Sequence, residues 1–302
     1  MLALLLTVLA CTTEPEQGAD KSSADAVQAP AEKAKVITSS YPAAWLVDRL
    51  AQGSVDHENI LPAGEDPPFW SPSGEVVAKA QQADLVVLNG AGFEAWVKTA
   101  SLREGRVVDS AQGVETISVQ SKTHSHGKDG EHSHAGLDPH TWSDPVGFSQ
   151  QAQAVHAALS KLPGADQGAL DAALGTLQAD LQALDQELKA ATEPLQGKPM
   201  AASHPAFNYL ARRYGLEITS FDFDPEQPPT DLHDFEHWAE GKAPVVLVWE
   251  SAPTDAVKAA FPADVQHFVM DPLEQPGDSG AYDYLAQARA NLDVLGSLAQ
   301  AQ

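Results

Sequence analysis

Two of the eleven histidines stand against prolines at junctions between apolar and polar sequence. His140 lies in Asp138-Pro139-His140-Thr141-Trp142-Ser143-Asp144-Pro145, and His204 in Ala202-Ser203-His204-Pro205-Ala206-Phe207. Asp271 directly follows the apolar run Phe268-Val269-Met270. In α/β sheets the loops leaving the carboxyl ends of strands are where ligands bind, and all three residues are placed to emerge at such ends. Neutral imidazole is the commonest metal donor. Two imidazoles and a carboxylate from three loops form a borderline-hard donor set suited to Zn²⁺. Taken singly, each histidine reads as readily as a hydrogen-bonded loop residue, and it is the shared placement that points to a site.

A second histidine feature is the stretch 123–134, which carries His124, His126, His132 and His134 among Ser, Gly, Lys, Asp and Glu. It contains no apolar residue to anchor it, so it reads as a mobile loop. Alternating imidazoles on such a chain can capture zinc weakly, because ordering the loop costs affinity. A polar insertion that binds nothing is the other reading. His57, His156, His233, His237 and His267 have no comparable setting and read as surface or structural residues.

Donors drawn from three loops need a frame that gathers those loops. From residue 36 onward, short β-type runs alternate with helical patterns. Strands are expected at 36–37, 85–88 and 106–109, with helices at 41–50, 76–83 and 92–99. The rhythm recurs with strands at 198–203, 216–221, 245–249 and 267–270 and helices at 205–214, 231–240, 254–260 and 282–298. Leu85-Val86-Val87-Leu88 and Val245-Val246-Leu247-Val248-Trp249 are uninterrupted apolar runs, as strands covered on both faces require. Between the two series, Leu170, Leu174, Leu177, Leu181, Leu184 and Leu188 recur at steps of four and three. They fall on one face of a proline-free helix over 168–191, roughly 35 Å long at 1.5 Å per residue. The expected fold is α/β, two Rossmann-like lobes with parallel sheets joined by one long rigid helix. The lobes are placed at 34–163 and 196–302, with the link at 164–195.

The formal charge of −24 leaves too few cationic side chains to neutralise phosphates, which excludes nucleic acid as a partner. Residues 1–10 form an apolar run far short of the ~20 residues of a spanning helix. The run ends at Val8-Leu9-Ala10-Cys11, and Cys11 is the only cysteine. Residues 1–10 therefore read as a lipoprotein signal peptide, Cys11 as the lipidation site, and 11–33, rich in Thr, Glu, Ser, Ala and Gln, as a disordered tether.

Several stretches together resemble the bacterial zinc/manganese ABC-transporter solute-binding protein family. They are Tyr41-Pro42-Ala43-Ala44-Trp45-Leu46-Val47-Asp48, Ala83-Asp84-Leu85-Val86-Val87-Leu88-Asn89-Gly90-Ala91-Gly92, Asp138-Pro139-His140-Thr141-Trp142 and His204-Pro205-Ala206-Phe207. The resemblance implies two α/β lobes on one long helix. It implies metal ligation by His140, His204 and Asp271, and Zn²⁺ rather than Mn²⁺, since zinc members carry His at the position of His204. It also implies a monomeric, lipid-anchored receptor outside the cytoplasm that hands its ion to an ABC permease and catalyses nothing. The 123–134 stretch matches the histidine-rich loop that zinc members carry.

One position departs from the family pattern. The family's first ligand is a histidine within Gly-x-Asp-Pro-His-x-Phe, but here the sequence is Gly64-Glu65-Asp66-Pro67-Pro68-Phe69. Pro68 has no donor to offer. Three outcomes stay open: zinc held by His140, His204, Asp271 and a water; Glu65, Asp66 or Glu250 filling the gap; or a site that has lost or changed its ligand. Three protein ligands with an open position would also suit a zinc hydrolase with Glu250 as general base, although no H-E-x-x-H helix is present. A metal-free adhesion or sensor protein on the same scaffold is the third class.

Overall fold

The computed structural model describes residues 32–119, 123–125, 131–133, 136–277 and 280–301. The 1–10 segment, Cys11, most of the tether, His126 and His134 lie outside the described residues.

The N-terminal half runs β1 (Lys35–Thr38), α1 (Tyr41–Ala51), β2 (Asp56–Asn59), α2 (Gly74–Gln82), β3 (Leu85–Leu88) and β4 (Val107–Asp109). Short antiparallel pieces follow: β5 (Ser118–Val119), β6 (Thr123–Ser125), β7 (Glu131–Ser133) and β8 (Gly136–Leu137). Then come α3 (Pro145–Leu159) and the long α4 (Gln167–Thr192). The C-terminal half runs β9 (Pro199–Ala202), α5 (Asn208–Tyr214), β10 (Glu217–Ser220), α6 (His233–Ala239), β11 (Val245–Trp249), α7 (Asp255–Lys258), β12 (Val265–Val269) and α8 (Tyr284–Ala301).

Each half contains a four-stranded, all-parallel sheet. The orders are β2-β1-β3-β4 and β10-β9-β11-β12, the same doubly wound pattern twice. Strand alternation explains why both faces are covered. In β3, Leu85 and Val87 face the main core, while Val86 and Leu88 face a second cluster with Trp70 and Trp96. In β11, Val246 and Val248 join the main core, while Val245, Leu247 and Trp249 meet Phe223, Phe235 and Phe261.

The long helix has 26 residues, about 39 Å at 1.5 Å per residue. Its N-cap Asp166 accepts a hydrogen bond from Ala169 N at 3.0 Å, which satisfies one of the orphan donors of the first turn. Leu170, Leu177, Leu181, Leu184 and Leu188 are buried and Leu174 partly so. The stripe does not serve one sheet alone: α4 packs on α1 and α3 from one half and on α8 from the other.

Several expected elements change form. Residues 92–99 yield only a 3₁₀ turn, Ala95–Lys98, because Gly92 is left-handed (φ +84°) and the Glu94 carboxylate draws the backbone N–H groups of Asn89 and Gly90 instead. The helix expected at 205–214 opens as a 3₁₀ turn, Pro205–Phe207, before α5. The short strands β5 to β8 were not expected, β6 and β7 falling in the stretch read as a mobile loop, and neither were two longer elements. The edge strand β2 (Asp-His-Glu-Asn) has no apolar run to announce it. Helix α3 starts where Asp144 caps Val146 N at 2.8 Å with Pro145 in the first turn.

Candidate metal centre

Helix α3 and the turn before it fix the first candidate donor. His140 follows β8 and caps a 3₁₀ turn, Thr141–Ser143, so the strand it leaves belongs to a small antiparallel pair and not to the parallel sheet. Asp138, itself buried, sets its orientation. Asp138 Oδ1 accepts from His140 N at 2.9 Å and from His140 Nδ1 at 2.7 Å, and Oδ2 accepts from Asn208 Nδ2 at 2.9 Å. Because a carboxylate oxygen accepts, Nδ1 is the donor nitrogen, and in the neutral ring Nε2 holds the lone pair. That is the arrangement of metal-binding imidazoles. The Asp138 carbonyl is held in turn by Tyr209 Oη at 2.7 Å, and burial pushes this phenol up to about 12.

His204 leaves the carboxyl end of β9, where Ser203 N still bonds Val248 O across the sheet at 2.8 Å. Its ring lies edge-on to that of His140, with centroids 5.6 Å apart at 80°. The two imidazoles are 5% and 8% exposed, and at this separation both can address one ion.

Asp271 leaves the carboxyl end of β12. Leu273 N donates to its Oδ1 at 2.7 Å and Gln287 Nε2 to its Oδ2 at 2.8 Å. Asn291 brackets its backbone, accepting from Asp271 N at 3.0 Å and donating to Asp271 O at 2.8 Å. Helix α8 therefore holds this carboxylate in place.

His140, His204 and Asp271 line one cleft of about 900 Å³ together with Asp66, Glu250 and Glu274. Pro68, Phe69 and Phe93 supply apolar wall. Among the described residues the lining contains four carboxylates and neither Lys nor Arg, so it attracts cations. Burial raises the Glu274 carboxyl well above the ordinary carboxylate range, and the negative charges of Asp66 and Glu250 raise it further. Among the described residues no three His, Cys, Asp or Glu side chains already stand at metal-holding separations. An ion here must draw the donors inward.

Of the candidate replacements for the donor missing at Pro68, Asp66 and Glu250 face the cleft and Glu65 does not. Glu65 is exposed and offers its backbone carbonyl to Gln275 Nε2 at 3.0 Å. Sequence reasoning missed Glu274, Asp138, Gln287 and Asn291. Asp138 was visible as the acid two residues before His140, a separation that lets a carboxylate reach back to the imidazole. The other three had no such signal: Gln287 and Asn291 reach Asp271 only because α8 folds against it, and Glu274 meets the cleft only through the fold of the segment after β12.

In the histidine-rich stretch, β6 and β7 pair antiparallel with His124 opposite His132. His57 and His267 are structural, as expected. His57 bridges Thr38 and Asp48 (3.0 and 2.7 Å), and His267 accepts from Trp249 Nε1 at 3.0 Å.

Two doubly wound sheets on one long helix, with paired imidazoles in a carboxylate-walled cleft, form the frame of a cation-binding solute receptor. The family described as zinc-uptake complex component A, periplasmic (ZnuA), matches residues 36–297, and the chain belongs to it. It is similar to the high-affinity zinc uptake system protein ZnuA of Bacillus subtilis (strain 168), 26% identical over 97% of this chain and 94% of the relative. It is also similar to the manganese ABC transporter substrate-binding lipoprotein PsaA of Streptococcus pneumoniae, 28% identical over 97% and 94%. Among solved structures, the metal-dependent lipoprotein YcdH of Bacillus subtilis superposes with a TM-score of 0.75 at 23% identity, over 89% of this chain and 99% of that one. That likeness bears on the fold.

Proposed function

We propose that this chain is an extracytoplasmic receptor that captures Zn²⁺, in preference to Mn²⁺, and delivers it to an ABC permease. The observation that carries the reading is the Asp138–His140 hydrogen bond, which leaves Nε2 of a buried imidazole as a lone-pair donor beside a second imidazole. Membership of a zinc-uptake family and the zinc-uptake relative support the choice of ion.

In this reading His140 and Asp271 with His204 approach the ion from the two halves, and residues 34–163 and 196–302 act as lobes on the 164–195 link. The ion ties the halves together and presents a closed surface to the permease. His124, His126, His132 and His134 form an auxiliary, weaker capture site. Cys11 carries the lipid anchor and 11–33 the tether, and the receptor works as a monomer. Relatives named as lipoproteins support the anchor. The reading assigns no catalytic step and no nucleic-acid partner.

Calorimetric titration with Zn²⁺ and Mn²⁺ tests it. One tight zinc site, weakened tenfold or more by His140→Ala and by His204→Ala, is the expected result. Unchanged affinity in both variants would sink the assignment. Deleting 123–134 lowers the number of ions bound and leaves the tight site intact. Hydrolysis of ester or peptide substrates, abolished by chelation, would instead favour a zinc hydrolase with Glu250 as base.

A further inference from the structure

We propose that Glu274 takes over the donor role vacated at Pro68, reaching the ion from the segment after β12. The inference rests on the metal-receptor reading above and names a ligand of that same cleft.

Its first support is position. Glu274 lines the same cleft as Asp66 and Pro68, and the next residue, Gln275, donates from Nε2 to the carbonyl of Glu65 at 3.0 Å. The pair Glu274-Gln275 is thus docked on Glu65-Asp66, immediately before Pro67-Pro68. A group from the C-terminal half lies beside the part of the N-terminal loop where Pro68 has no donor to give.

The second support is charge. Asp66, Glu250, Asp271 and Glu274 share one cleft, with no Lys or Arg in its lining among the described residues. Carboxylates gathered in one cleft repel one another unless a positive charge lies among them, and a divalent cation supplies that charge. Third, the acids do not stand alone. The same cleft is lined by His140 and His204, both more than nine-tenths buried, and His140 carries the lone pair fixed by Asp138.

Among the carboxylates, Glu274 fits the role best. Asp66 is tied into the turn through its carbonyl, which accepts from Phe69 N and Trp70 N at 3.0 and 2.8 Å. Glu274 extends from a segment adjoining Asp271, so one short loop delivers two oxygens to one ion. The resulting set of two imidazoles and two carboxylates is harder than one with three imidazoles, so the site should discriminate less sharply against Mn²⁺.

The test uses the full chain with isosteric Glu274→Gln, compared with His140→Ala. Glu274→Gln should weaken zinc binding tenfold or more without loss of thermal stability, and adding Pro68→His to it should recover most of the affinity. A crystal structure of the zinc-loaded native chain should place a Glu274 oxygen about 2.0–2.2 Å from the ion. Affinity within twofold of native in Glu274→Gln, with His140→Ala still strongly impaired, would overturn the role of Glu274 and leave the receptor reading standing. A Glu274 oxygen beyond bonding distance in that crystal would overturn it as well. Native affinity in His140→Ala and His204→Ala would remove the receptor reading first.

Discussion

Nδ1 of His140 lies 2.7 Å from Oδ1 of Asp138, two residues earlier in the chain, and both side chains are buried. The contact decides which imidazole nitrogen faces the cleft. Partners of this kind orient the ring and raise its basicity, and their loss costs about 10–100-fold in metal affinity. Asp138→Ala should therefore weaken zinc binding by at least tenfold, measured by calorimetry or chelator competition. The same variant frees Asn208, so thermal unfolding must be recorded alongside. Native affinity in a folded variant would show that Asp138 orients nothing of consequence.

Glu94 offers a prediction about pH. It is 2% exposed, accepts from Asn89 N and Gly90 N, and burial holds its carboxyl up at about 7 against an ordinary value of 4.5. The folded state keeps a proton that the unfolded chain releases across this window. Stability from this group is full below pH 4.5, declines as pH rises towards 7, and levels off above. The loss is at most ~3 kcal/mol. Glu94→Gln cannot titrate, so the difference in unfolding free energy between native and variant should change between pH 5 and 7. A pH-independent difference would show that Glu94 ionises normally.

The frame was legible in the sequence because burial on both faces forces apolar runs. Leu85–Leu88 and Val245–Trp249 announced central strands, and the leucine stripe announced α4. Strand β2 was not legible, since an edge strand of Asp-His-Glu-Asn buries little and has no run to detect. The candidate donors His204 and Asp271 follow strands β9 and β12, as their sequence junctions suggested, and share a cleft with His140, which instead follows the short antiparallel strand β8. Glu274, Gln287 and Asn291 were not legible, because their relation to Asp271 or Asp66 arises only when α8 and the post-β12 segment fold against the rest. Glu65 shows the reverse case: sequence adjacency to Pro68 suggested a donor, but its side chain points to solvent.

The leucine stripe of α4 joins a core that contains Trp45 and Phe148 from one half and Tyr284 and Leu298 from the other. Leu184 is 0% exposed within it. Leu184→Ala removes buried methyl groups and leaves a cavity, a change worth about 2–5 kcal/mol. Because the core is continuous, the denaturant transition should move to lower concentration as a single step. Two separated transitions would mean that the halves unfold independently and that α4 belongs to one of them.

Trp142 links the loops of two proposed ligands. Its indole Nε1 donates to Pro272 O at 2.9 Å, and its own carbonyl accepts from Tyr284 Oη at 2.7 Å. Trp142 stands two residues after His140, and Pro272 directly follows Asp271, so the indole bond holds the His140 turn against the Asp271 loop. Trp142→Phe keeps most of the buried ring and removes the N–H, leaving a carbonyl to find another donor at a cost of about 1–3 kcal/mol. If the bond positions donors, zinc affinity should fall several-fold as well. Tyr284→Phe is the control: it leaves the Trp142 carbonyl in deficit by a similar amount but keeps the indole bond to Pro272, and affinity should change less. Equal losses of affinity in the two variants would make the effect one of general stability, and the link between the two loops would then carry no part of metal binding.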